Sequence, residues 1–115
     1  MTILSILQFL AVALTIVTGL VSLLWPRSVF SFTGLSAPGP RGISEIRSVL
    51  GGVFIGLGLA VFLLGAPEVY QMLGITYFTI GAVRLVSIFV DRANERSNWI
   101  SLLVEIMFGV ILVLK

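Results

Sequence analysis

An all-α integral membrane four-helix bundle, running up-down-up-down, is the fold this sequence predicts, and three observations predict it. Hydrophobic residues make up 58% of the chain and charged residues only 10%, with a mean hydropathy of +1.18; a soluble domain is nearer half apolar and a quarter charged. Four stretches are long and apolar enough to cross a bilayer, which takes about 20 residues. The connections between them hold turn residues and short charged runs. The same arithmetic excludes a soluble globular domain and a disordered chain. A nucleic-acid partner is not expected either, because the net charge is only +2 and no basic run exists.

The first helix is expected over about 2–25, where no charge interrupts the run. It lacks the basic start and the small-residue cleavage site of a signal peptide, so it is expected to be retained. The second is expected over 44–65, the third over 68–90 and the fourth over 98–114, so that residues 1–115 form a single transmembrane domain with little outside the bilayer. Gly65-Ala66-Pro67 is a tight turn, with Gly suited to a helix end and Pro to the next helix start. Asp91 to Ser97 is a short charged loop. The stretch from Pro26 to Ile43 is longer, and Val29, Phe30, Phe32 and Leu35 make its first part too apolar for a free loop. It is expected to lie in the membrane interface or to fold back, with a turn at Ala37-Pro38-Gly39-Pro40.

Basic residues set the expected orientation. Arg27, Arg41, Arg92 and Arg96 fall on two loops that a four-helix topology places on one side, while Lys115 lies on the other. Positive loops stay cytoplasmic, which places both termini outside.

Charge within the spans is the strongest chemical signal. Arg84 and Glu105 are equidistant from the centre of the 91–98 connection, which puts both roughly 10 Å inside their helices at 1.5 Å per residue. A lone charge at a membrane helix centre costs about 2.5–3.5 kcal/mol on insertion scales. Opposite charges at matched depth therefore predict a pair. Glu45 and Arg47 open the second helix about 200° apart, so one is expected to face inward, with Glu45 joining the Arg84–Glu105 cluster, and the other to reach headgroups or another helix. Small and polar residues repeat at heptad-like spacing on each helix: Gln8, Ala11, Thr15, Thr18 and Ser22; Glu45, Ser48, Gly52 and Gly56; Gly74, Tyr77, Gly81, Arg84 and Ser87; Asn98, Ser101, Glu105 and Gly109. Small residues let membrane helices approach closely, so Gly52, Gly56 and Gly81 are expected at helix contacts. Glu45, Arg47, Tyr77, Arg84, Ser87 and Glu105 are the candidate ligand-binding or buried-charge residues. A faint repeat relates Leu20-Val21-Ser22-Leu23 to Leu85-Val86-Ser87-Ile88 and Glu45-Ile46 to Glu105-Ile106, consistent with a parallel repeat of two hairpins.

Glu45-Ile46-Arg47 before a Gly-rich helix, Gly81-Ala82-Val83-Arg84-Leu85-Val86-Ser87, and Glu105-Ile106 in the last helix occur in an order that resembles an uncharacterised group of small four-helix bacterial membrane proteins, classed as a domain of unknown function. The resemblance implies a four-helix membrane fold and a bacterial inner-membrane location, and it implies no activity.

With no His and no Cys, the chain lacks the commonest general base, the usual metal ligands and any thiol nucleophile. No cofactor or metal is expected, and catalysis is the least supported reading. Two readings stand level. One is a protein that binds or transports a small anionic or lipid-like ligand at a charged pocket in the cytoplasmic half. The other is an accessory or structural subunit of a larger membrane complex or homo-oligomer, with Arg84–Glu105 as a structural lock. Membrane lipids are expected partners in both.

Overall fold

Apolar periodicity over these lengths permits only helix, since a lipid core offers no partner for an unpaired strand edge. A computed structural model, describing residues 2–115, is all-α, and no strand occurs among the described residues. Helix α1 spans Ile3–Leu24. A 3₁₀ turn at Pro26–Ser28 leads into a short helix, α2, at Val29–Thr33, which Gly34 ends with φ of 76°. Helix α3 runs over Pro40–Leu64, α4 over Pro67–Val90 and α5 over Arg96–Val113. The four long helices, α1, α3, α4 and α5, are each long and apolar enough to cross a membrane. Their surfaces agree: Leu63 is 80% exposed and Val90 72%, while Gln8, Thr15, Ser22 and Glu105 are buried. That inversion of the soluble pattern suits an apolar solvent and makes this an integral membrane protein.

Helix ends follow from local chemistry. Pro40 and Pro67 occupy first-turn positions, behind extended Gly39 and Ala66, where proline loses no helical hydrogen bond. The second long helix therefore begins at Pro40, four residues before its expected start, and α5 begins at Arg96, two residues early, behind extended Glu95. Gly65 takes φ of 69° between α3 and α4, a conformation that costs a residue with a Cβ.

Two compact units divide the chain. In the unit Val12–Leu63, α1 and α3 run antiparallel in direct backbone proximity. A Cβ on Gly19 would sit 2.7 Å from the Gly51 carbonyl oxygen and from Ile55, and one on Gly58 would sit 2.3 Å from Ile16. In the other unit, the first turns of α1 up to Ala11 join Leu64–Lys115. There α4 and α5 form an antiparallel hairpin whose closest approach is at Gly74, where a Cβ would lie 3.0 Å from the Gly109 carbonyl, and at Gly109, against the Phe78 ring. Gly81 sits on the same seam, where a Cβ would touch Glu105 and Leu102 at an ordinary 3.6 Å.

The expected contact face of α3 is corrected. Gly52 and Gly56 are exposed and face open space, as does Ser48; the contact glycines are Gly51 and Gly58. Residues Ile46–Gly51 form a π-turn, which takes more residues per turn than an α-helix. Ile46 and Gly51, five apart, are consequently both buried. Glu45, Ser48, Gly52 and Gly56 are all exposed, so the stripe does share one face, and that face is the outer one.

Gly19→Ala is expected to destabilise the purified protein by about 1–3 kcal/mol, since backbone must yield to the added carbon. Gly56→Ala, in open space on a helix, should leave the melting temperature unchanged or raise it, by about 0.4–1 kcal/mol in stability. Thermal unfolding in detergent of the two variants checks both, and equal destabilisation would contradict this packing.

Candidate functional site

Helices α4 and α5 bring Arg84 and Glu105 together as their spacing predicts. Nε of Arg84 donates to Oε1 of Glu105 at 2.8 Å, and Nη2 donates to Oε2 at 2.7 Å. This is a two-pronged contact, the strong geometry for guanidinium and carboxylate. The Glu105 side chain is 10% exposed and that of Arg84 30%. Gly81, one turn before Arg84, lies beside the Glu105 stem on this seam.

Asn98 completes the arrangement, and the sequence marked it only as one member of a polar stripe. Its Oδ1 accepts from Arg84 Nη1 at 2.8 Å, and its Nδ2 donates to the Ala93 carbonyl at 3.0 Å. Ala93 in turn donates its N–H to Ile88 O at the end of α4, with Arg92 held at φ of 54°. Hydrogen bonds thus link the 91–95 loop to the buried pair. The available signal was the seven-residue spacing of Asn98 and Glu105, which puts both on one helix face.

The remaining candidates are placed differently. Tyr77 is buried on the same seam, with its ring edge-on to Phe108 at 5.3 Å. Ser87 donates to Asp91, one turn later, rather than accepting from Arg84. Glu45 accepts from Arg41, one turn earlier, in an exposed pair. Arg47 reaches another helix: its Nη1 donates to the Leu23 carbonyl at 2.8 Å, one of the last carbonyls of α1, which lack helical partners.

Arg84 also borders an open groove of about 410 Å³, lined by Thr79, Ile80, Val83, Arg84, Ser87 and Asn98. The lining is mainly apolar with one charge. Three of the five guanidinium N–H bonds are engaged by Glu105 and Asn98, which leaves two for a further acceptor. The arrangement can hold one anionic or carbonyl oxygen beside an apolar chain.

Breaking one side of a buried pair costs about 3–5 kcal/mol, because the other charge is left uncompensated. Glu105→Gln should therefore destabilise the protein far more than Glu95→Gln in the exposed loop. Arg84→Met combined with Glu105→Leu should recover much of the loss. Denaturation of these variants in one detergent provides the comparison, and a double variant no better than Glu105→Gln would show that the pair does not act as a unit.

Comparison with known proteins gives one family: a domain of unknown function, DUF4345, matches residues 3–115. No curated protein matches the chain. No solved structure matches it.

Proposed function

The chain belongs to the DUF4345 family, and because that family's function is unknown, we propose from the geometry of the site that this small membrane protein binds an amphiphilic ligand carrying one anionic group. The groove beside Arg84 receives it. Arg84 is the anion contact, Ser87 and Asn98 flank it, and Ile80 and Val83 take the apolar part. The observation that carries this reading is a part-exposed guanidinium with two uncommitted N–H bonds at the edge of an apolar groove. Glu105 then serves as the fixed partner that holds the guanidinium in place.

A second reading, an accessory subunit of a larger membrane complex in which Arg84–Glu105 is a lock, draws on a different observation. Gly52 and Gly56 leave a face of α3 open, and small residues suit close helix approach.

We place the protein in a bacterial inner membrane with both termini outside, on the arginines at the ends of the long helices. The site then lies in the cytoplasmic half. A reporter fused at Lys115 should be active only on the outer side; activity confined to the cytoplasm would invert the assignment.

The ligand reading is tested on purified protein with decyl phosphate and decanol. Decyl phosphate should raise the melting temperature by several degrees and decanol should not. The Arg84→Met/Glu105→Leu double variant, which keeps the hairpin, should lose the response. Equal responses to both compounds, or an undiminished response in the double variant, would reject Arg84 as the contact. Co-purification of a defined protein partner, without any ligand response, would favour the second reading.

A further inference from the structure

The unit Val12–Leu63 carries arginines of its own, far in sequence from Arg84. The π-turn and Gly51 bring α3 against the C-terminal end of α1, and Arg47 donates from there to the Leu23 carbonyl. This single bond fixes where the guanidinium lies, at the end of α1, and leaves four of its five N–H bonds. Arg27 follows Leu23 by four residues, in the 3₁₀ turn at Pro26–Ser28, with Pro26 buried beneath it. Both arginines are exposed.

Charge accounting isolates these two. The only acidic residue in this unit is Glu45, and its carboxylate is taken by Arg41. Arg27 and Arg47 thus have no carboxylate partner among the described residues. The neighbouring apolar side chains are equally unpartnered: Trp25 is 62% exposed, Phe32 47% and Leu35 48%. An exposed Trp beside arginines, at the end of a membrane helix, has the chemistry of the membrane–water boundary. Two arginines without carboxylates, one bonded to the end of α1 and one in the turn that follows it, with exposed apolar side chains nearby in sequence, call for an anion that itself carries apolar chains.

We propose that Arg27 and Arg47 form a binding site for the phosphodiester headgroup of an anionic phospholipid, with Trp25, Phe32 and Leu35 against its glycerol and upper acyl region. Arg47 is the fixed half of the site, because the Leu23 carbonyl anchors it, and Arg27 joins it from the exposed 3₁₀ turn. This site shares no residue with the groove at Arg84.

Native mass spectrometry of the intact protein in detergent, titrated with phosphatidylglycerol or phosphatidylcholine, tests the assignment. Phosphatidylglycerol should bind, and Arg27→Gln/Arg47→Gln should weaken it roughly thirtyfold, at about 1 kcal/mol per arginine near a membrane surface. Arg96→Gln should leave it unchanged. Arg27→Lys/Arg47→Lys keeps the charge, and with it the orientation and fold, but removes the planar fork; it should weaken binding by a smaller factor. If the glutamine variant does not fold, the lysine variant decides, and unaltered affinity there overturns the site. Equal affinity for phosphatidylcholine would overturn it. So would competition by inorganic phosphate at matched concentration, which would mark a site for a free anion. The Arg84→Met/Glu105→Leu variant lacks the anion contact of the groove, so the loss caused by Arg27→Gln/Arg47→Gln should persist in that background, and failure of the groove at Arg84 leaves this test intact.

Discussion

A lipid core offers no hydrogen-bond partner, so each polar group carried into it must find one within the protein. That constraint organises both units. Thr18, Thr76 and Thr79 turn their hydroxyls back to the carbonyls four residues earlier. Gln8, buried in the first turns of α1, donates to the Ile111 carbonyl. Arg84 must satisfy a full charge and does so with Glu105 and Asn98. Among the described residues, no buried side-chain nitrogen or oxygen lacks a partner. Charges therefore sit where a second helix can answer them, and the depth of Arg84 dictates the depth of Glu105.

Close packing supplies what hydrophobic burial cannot. Helices in lipid gain little by hiding leucine from lipid tails, so association rests on dispersion contacts and interhelical bonds. Gly19, Gly51 and Gly58 bring α1 and α3 together, and Gly74 and Gly109 do the same for α4 and α5. Each hairpin then adds one arginine bond across the seam: Arg47 to the Leu23 carbonyl in one, Arg84 to Glu105 in the other. The two arginines play different parts. Arg84 neutralises a buried carboxylate, while Arg47 caps a helix end and keeps most of its donors for the outside.

These parts explain how a chain without His or Cys can still carry recognisable chemistry. Guanidinium groups recognise anions through shape and charge, with no proton transfer required. Membership of DUF4345 supplies no activity, so the functional reading rests on where the arginine donors are spent and where they remain.

The sequence by itself determined the four long helices, since apolar runs of this length, broken by at most one charge within the bilayer, satisfy their own backbone as helices. It also determined the Arg84–Glu105 pair, because equal distance from one loop fixes equal depth. Tyr77, Gly81 and Glu105 fell on the buried seam of α4 and α5 as heptad spacing indicated. Tertiary structure alone decided the contact face of α3. The small and polar stripe Glu45, Ser48, Gly52 and Gly56 does share one face, but α1 packs on the other, where Ile46, Gly51 and Gly58 are buried; glycines occur on both faces, so composition could not choose between them. The partners of Glu45, Arg47 and Asn98 were likewise decided in three dimensions. Each side chain had more than one polar group within reach along the sequence, and only the register of neighbouring helices and the path of the loops selected among them.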